Sequence, residues 1–244
     1  PTDGGEGRRK APSNLFTETD MYTIHMPDGS RDLTLEYGLS QLESEFVRIR
    51  DEIIRGRVGL DLETRVLLCT FTAAAQLRSR AQRNHMRQQW SGVLEDMEAM
   101  QEALRKSTPE QRRVLNTLGS GKQTPTMGIG DVRRLANSPL QEVLGPSIAA
   151  QLPILVRMNM TILSTEEHPG FITSDAPCVW FDPQWHTRPY LYQSPGLAYE
   201  TIEITLPISP MSLLILTWRP LGDGRRFMNI HPEIVDDLNR RTRA

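Results

Sequence analysis

The sequence predicts an α+β protein: a helical N-terminal half packed on a mainly antiparallel sheet, with a C-terminal helix closing it. Three observations carry this. Apolar residues recur at steps of three and four from Leu33 to about Arg105, which is helical spacing. From Asn159 the pattern changes to short apolar runs split by turn residues, which reads as strands. HPEIVDDLNRRT (231–242) then returns to a helical pattern, with Pro232 in its first turn.

The 244 residues, 38% hydrophobic and 24% charged, suit a globular chain with a substantial core. Residues 21–244 read as a single α+β domain, helical over 33–158 and β-rich over 159–244. PTDGGEGRRKAPSN (1–14) is Gly, Pro and charge and buries little, so 1–20 is expected to be a flexible N-terminal segment. The chain opens on Pro1 without a methionine, as a fragment would. The net charge of −2 leaves any nucleic-acid affinity to a local patch. Two cysteines, Cys69 and Cys178, with no C-x-x-C, point to a reducing cytoplasm. No apolar run approaches the ~20 residues of a membrane span.

Along the chain, MYTIHM (21–26) followed by PDGS reads as a short strand and turn. Leu35, Leu39, Leu42, Phe46, Ile49 and Ile53 form one stripe on a helix that ends at Gly56 and Gly59. Asp61 caps the next helix. Its periodicity runs from Leu62 to about Arg105 without a proline, as one long helix or two with a kink at Gly92. Thr108-Pro109-Glu110 restarts a short helix, and GSGKQTPTMGIG (119–130) is a loop. Asp131–Asn137 and Leu140 to about Met158 are helical, with Pro146 and Pro153 expected to break or bend the second. MTILSTE (160–166), FITS (171–174), CVWF (178–181), TIEITLPI (201–208) and SLLILTW (212–218) are the expected strands. Periodicity leaves SLLILTW either central in the sheet or at a dimer interface. WFDPQWHTRPYLY (180–192) could stack on bases, but fits a loop packed on the sheet better.

Two helices carry candidate chemistry. Val66, Cys69, Ala73, Gln76, Arg80, Arg83 and Arg87 follow one helical face, with Arg78 one position off it. A face that turns from apolar to basic can wall an anion pocket, because arginine offers a planar fork of donors. A solvated helix end explains it as well. Glu36 and Glu43 lie seven apart at the margin of the first helix's stripe. A partly buried carboxylate there is either a functional group or one half of a surface pair. FITSDAP (171–177) poses the same choice, since Ser174, Asp175 and Pro177 make a turn cheaply. Asp175 is equally a carboxylate held at a strand end. No H-E-x-x-H, P-loop, GxGxxG or G-x-S-x-G is present, and His168, Cys178 and His186 match no zinc spacing.

In order along the chain, LEYGLSQLESEF (35–46), AAQLRSR (74–80), FITSDAPCVWF (171–181), ITLPISPMSLLIL (204–216) and NRRT in the last helix are similar to the segments of an uncharacterised bacterial family, domain of unknown function 4238. The resemblance covers most of residues 20–243. Ala176 stands where the family more often has Asn, and Asn239 matches an asparagine of its closing segment. The family's opening histidine-containing segment has no counterpart here. The resemblance implies no activity, but it singles out the segment of Asp175.

Two functions fit these residues. One is an enzyme acting on a phosphate-bearing substrate, nucleic acid or a nucleotide. Asp175, Glu43 and Glu36 would be its catalytic carboxylates, working as acid and base or through a divalent metal in a metal-assisted hydrolase. Gln76, Arg78, Arg80 and Ser174 would bind the ligand. The other is a non-catalytic binding or regulatory module, in which the same charges join the helical part to the sheet. The first requires the segments to converge in space.

Overall fold

The computed structural model describes residues 22–25, 28–118, 127–166, 168–190 and 194–243. The expected flexible segment 1–20, residues 119–126 of the expected loop, and Leu191 and Tyr192 of the aromatic run lie outside them. Strands β1 (Ile24–His25) and β2 (Arg31–Asp32) form a small antiparallel hairpin. Helix α1 (Thr34–Arg48) follows and continues as a π-helical turn, Ile49–Ile54. Its stripe is buried at Leu39 and Ile49, while in the π-turn Ile54 is buried and the expected Ile53 only partly so.

Helix α2 (Leu62–Leu77) starts as expected, with the Asp61 carboxylate accepting from Thr64 N at 2.8 Å. The expected kink at Gly92 is not where the chain breaks. Helix α3 (Arg80–Lys106) begins at a new N-cap, Ser79, whose hydroxyl accepts from Gln82 N at 3.2 Å. The signal lies in Ser79-Arg80-Ala81-Gln82, the S-x-x-Q of a capping box. The face drawn from Val66 to Arg87 is therefore cut in two. Gln76 belongs to α2, while Arg80, Arg83 and Arg87 ride on α3.

Helix α4 (Pro109–Leu118) opens with a reciprocal cap between Thr108 and Gln111. Helices α5 (Ile129–Asn137) and α6 (Pro139–Leu155) follow. Neither Pro146 nor Pro153 breaks α6, which runs through both. The two are seven apart and lie on the exposed side, with Glu142 and Ala149. The carbonyls that lose an N–H partner there face solvent, so the usual cost of an internal proline is reduced.

Strands β3 (Asn159–Ser164), β4 (Val179–Phe181), β5 (Glu203–Ser209), β6 (Ser212–Thr217) and β7 (Phe227–Asn229) form a sheet in the order β4-β5-β6-β3-β7. All pairings are antiparallel except β3 with β7. FITS is not one of the strands. It is extended, but its N–H groups bond a loop carbonyl and a side chain instead of a ladder. Three-residue β7 carries no alternation to read.

The sheet lies between two layers. Leu206, Leu214, Leu216 and Ile162 face Leu68, Cys69 and Ala73 of α2, Leu155 of α6 and Ile49. Leu163, Leu213 and Ile215 face Phe171 and the closing helix α7 (Pro232–Arg243) through Val235 and Leu238. This answers the question raised by SLLILTW. It is central, between β5 and β3, and its unbroken apolar run reflects cover on both faces. No helix among the described residues is long and apolar enough to cross a membrane.

Candidate functional site

The FITSDAP segment is fixed from both sides. Phe171 N donates to Pro210 O at 2.8 Å, under the β5–β6 turn. Asn239 of α7 is buried and binds the segment twice. Its Nδ2 donates to Gly170 O at 2.8 Å, and its Oδ1 accepts from Ile172 N at 3.0 Å. The Ser174 hydroxyl then accepts from Ala176 N at 3.2 Å, closing a turn. The turn reading of the motif holds, and Asp175 stands in that turn, not at the end of a strand.

Asp175 is exposed and makes no hydrogen bond or ion pair among the described residues. It lines a cavity of about 430 Å³ together with Glu43 of α1, Arg78 and Ser79 of the α2–α3 junction, and Thr173. The floor is apolar. Phe46 and Phe71 stack there with ring centroids 3.8 Å apart. Arg78, four-fifths buried, donates through Nη1 to Glu43 Oε1 at 2.6 Å. It also bonds Tyr22, which lines the cavity as well. Burial raises the Tyr22 pKa above its ordinary value against the pull of Arg78, so the phenol stays protonated.

Ser79 also borders a second cavity of about 400 Å³, lined by Gln76, His85, Cys178 and Trp180. Gln76 Oε1 is buried there without a hydrogen-bond partner. Burial pushes the Cys178 thiol up to about 12, so it is protonated at neutral pH and no thiolate nucleophile.

The structure thus brings together Asp175, Glu43 and Arg78, and sets Gln76 next door. It places the other candidates apart. Glu36 accepts from Thr23 Oγ1 at 2.5 Å beside the β1–β2 hairpin and does not line the cavity. Arg80 is exposed at the start of α3, outside both linings. Ser174 serves the turn. Among the described residues no three His, Cys, Asp or Glu side chains gather as a metal-binding group. Sequence reasoning missed Ser79, Thr173 and Tyr22. The capping signal could have found Ser79, while the other two carry no pattern.

Removing the Asn239 clamp is expected to leave Ile172 N–H and Gly170 C=O buried and unpaired. Asn239→Ala should cost about 2–4 kcal/mol, read as a clear drop in melting temperature. A variant that melts with the wild type would show that α7 does not hold the segment.

The fold and this cleft define an α+β protein with a charged cavity where its helical layer meets one end of its sheet. The family model described as "Protein of unknown function (DUF4238)" matches residues 2–244, and the chain belongs to that family. No curated protein and no solved structure matches it.

Proposed function

We propose that the cavity of Asp175 is the active site of an enzyme acting on a phosphate-bearing substrate, a nucleotide or a nucleic acid. The observation that carries this reading is the pairing pattern. Three segments distant in sequence meet at one open cavity, and of its charged groups Asp175 alone has no partner among the described residues. A partnerless carboxylate serves docking poorly and serves acid–base chemistry well.

In this reading Asp175 takes the proton of a water that attacks phosphorus, the P–O bond to the leaving group breaks, and the leaving oxygen takes the bonding pair and a proton from solvent. The Arg78 guanidinium meets the charge developing on the phosphate oxygens. Glu43 is a positioning residue, because its bond fixes the Arg78 fork. The positive end of α3 supports an anionic substrate. Helix α3 begins at Ser79 on the cavity wall, so the positive end of its dipole lies beside the site. Gln76 Oε1 would take a hydrogen-bond donor from the rest of the substrate. Two carboxylates alone make a poor metal cage, but Mg²⁺ also draws ligands from substrate phosphates and water. The assay is therefore run with and without it.

The test is turnover of a panel of nucleotides, phosphomonoesters and single-stranded nucleic acid. Asp175→Asn should lower the rate on an accepted substrate by roughly 10²-fold or more without lowering the melting temperature. Unchanged turnover in that variant would remove Asp175 from the chemistry.

One observation favours the structural alternative. Arg78 is largely buried and paired with Glu43, as a docking contact between α1 and the α2–α3 junction would be. If Arg78→Ala loses stability while the wild type neither binds nor turns over any substrate of the panel, the binding-module reading replaces the enzyme.

A further inference from the structure

A larger cavity, about 830 Å³, lies further along the same seam. Strand β5 passes from Leu206 and Pro207 at the candidate site to Ile208 and Ser209 here. The helical wall passes from Phe46 to Arg50, one turn on. The roof is the β5–β6 turn, Ser209-Pro210-Met211-Ser212, which starts at the end of the LPISP segment.

The lining is basic. Arg50, Arg55 and Arg57 project from the π-helical turn and its exit, and His168 lies across from them. Two carboxylates oppose the three guanidinium groups. Asp51 is bound by Arg50 through two bonds of 2.9 Å and lies 3.8 Å from Arg55, and Glu166 lies on the wall. One positive charge is left over before His168 adds any. Ser164, Ser209 and Ser212 add hydroxyls. The Ser209 hydroxyl accepts from Met211 N at 3.2 Å, which leaves its own proton to donate.

The backbone carries a second, independent sign. Arg57 has φ 50°, the left-handed region, and no other non-glycine described residue does. Its N–H donates to Ile54 O at 3.1 Å, and Val58 N–H reaches Ile53 O at 2.9 Å, the bonds of a helix C-cap. Glycine or asparagine is the ordinary choice there. The chain has its glycine one place earlier, at Gly56, where a Cβ would lie 2.8 Å from Glu52 O. An arginine therefore sits where the backbone favours glycine, and its guanidinium reaches across to donate to Asn229 Oδ1 on β7. Strain of this kind persists where the side chain is needed.

We propose that this cavity binds a phosphate polyanion, a diphosphate or triphosphate group, through Arg55 and Arg57 with hydroxyls of the β5–β6 turn. Arginine forks match phosphate oxygens two at a time. The volume lies in the range of pockets that hold nucleotide-sized ligands. Arg55 is 81% exposed at its side chain and its nearest acid is shared with Arg50, so its donors are available to a ligand. This site does not depend on the chemistry proposed for Asp175.

The experiment is calorimetric titration of the full chain with inorganic pyrophosphate, for the wild type, Arg55→Ala, Arg57→Gly and Arg78→Ala. The wild type is expected to bind, and each of the two cavity variants to bind about tenfold or more weakly. Arg57→Gly is expected to melt no lower than the wild type, because glycine relieves the left-handed strain. Arg78→Ala, which removes the cation of the other cavity, should keep the event. The proposal is overturned if the wild type binds no pyrophosphate. It is equally overturned if Arg55→Ala or Arg57→Gly binds as the wild type does, or if the event disappears in Arg78→Ala instead. If the panel shows no turnover that depends on Arg78, the proposed enzyme fails and this site still stands.

Discussion

Gly170→Ala is expected to lower the melting temperature by about 10 °C or more, with the closest Cβ clash among the described glycines. Gly170 has φ 73°, and a Cβ built there would lie 2.1 Å from Pro210 O and 2.9 Å from Pro210 C. Both are backbone atoms of the β5–β6 turn, and they are held. Phe171 N donates to that same Pro210 carbonyl at 2.8 Å. Relief would require moving the turn off the segment and losing that bond. Left-handed strain for a residue with a Cβ adds roughly 1–2 kcal/mol. Together with the clash this reaches the range above about 4 kcal/mol that only named core disruptions reach. A chain of this size shifts by about 2–4 °C per kcal/mol. Gly92→Ala is the control. Gly92 is exposed inside α3 and a Cβ there meets nothing within 4 Å, so the change should be neutral or raise stability by up to about 1 kcal/mol. A Gly170→Ala protein that melts within a few degrees of the wild type would mean that the segment and the turn slide apart freely.

That contact matters for the site, because it explains how an exposed carboxylate is held without a partner of its own. Gly170, Phe171 and Ile172 are bonded to the turn and to Asn239. Asp175 follows three residues later, after the Ser174 turn. The scaffold acts upstream of Asp175 and leaves its oxygens unbonded. If the proposed chemistry is right, Asn239→Ala and Gly170→Ala should lower activity beyond what their loss of folded protein explains, since they loosen the segment that carries the acid–base group.

The fold class was legible because it rests on periodicity. The α1 stripe, the Asp61 cap, the β5–β6 pair and α7 all carry patterns that local physics produces. What escaped had no local pattern or a competing one. Continuous helical spacing across residues 62–105 hid the break at Arg78–Ser79, which a single cap decides. FITS has a strand's composition, but its backbone partners come from Pro210 and Asn239, which no local window contains. The two helix prolines were judged on their backbone cost alone. Their shared exposed face decided the outcome. At the site, residue type pointed to Asp175, Glu43 and Arg78, and tertiary packing brought them to one cavity. The same reasoning put Glu36 beside them because it is seven residues from Glu43. Thr23 holds it elsewhere instead.

The aromatic run after β4 contains a group that sequence reading passed over, and its loss has a large expected effect. Asp182 is 2% exposed. Its Oδ2 accepts from Arg188 Nε at 2.7 Å, and its Oδ1 from Thr201 Oγ1 at 2.7 Å and Gln184 N at 3.0 Å. The Arg188 guanidinium also donates to Thr201 Oγ1 at 3.1 Å and lies 3.7 Å over the Tyr199 ring. One carboxylate thus ties the loop after β4 to the residues that lead into β5. Breaking a buried pair costs about 3–5 kcal/mol when the remaining charge stays buried. Here Arg188 keeps 24% of its side chain exposed and can recover some hydration, so Asp182→Ala should cost about 2–3 kcal/mol. Asp182→Asn keeps the shape and two acceptor bonds but turns an amide donor toward the Arg188 donor, and should cost about 2–3 kcal/mol as well. The pH dependence separates charge from packing. Burial raises the Asp182 pKa, but the bonds from Thr201, Arg188 and Gln184 outweigh it and hold the carboxyl below its ordinary value. A carboxylate depressed in the folded state contributes stability above the unfolded value of about 3.9, and loses it as pH falls through the folded one. The gap between wild type and Asp182→Asn should therefore be constant from neutral pH down to about 5 and close below about 4. Denaturant melts at several pH values measure it. A gap that stays open in acid would assign the cost to the amide donor set against Arg188, and the carboxylate's charge would then contribute little.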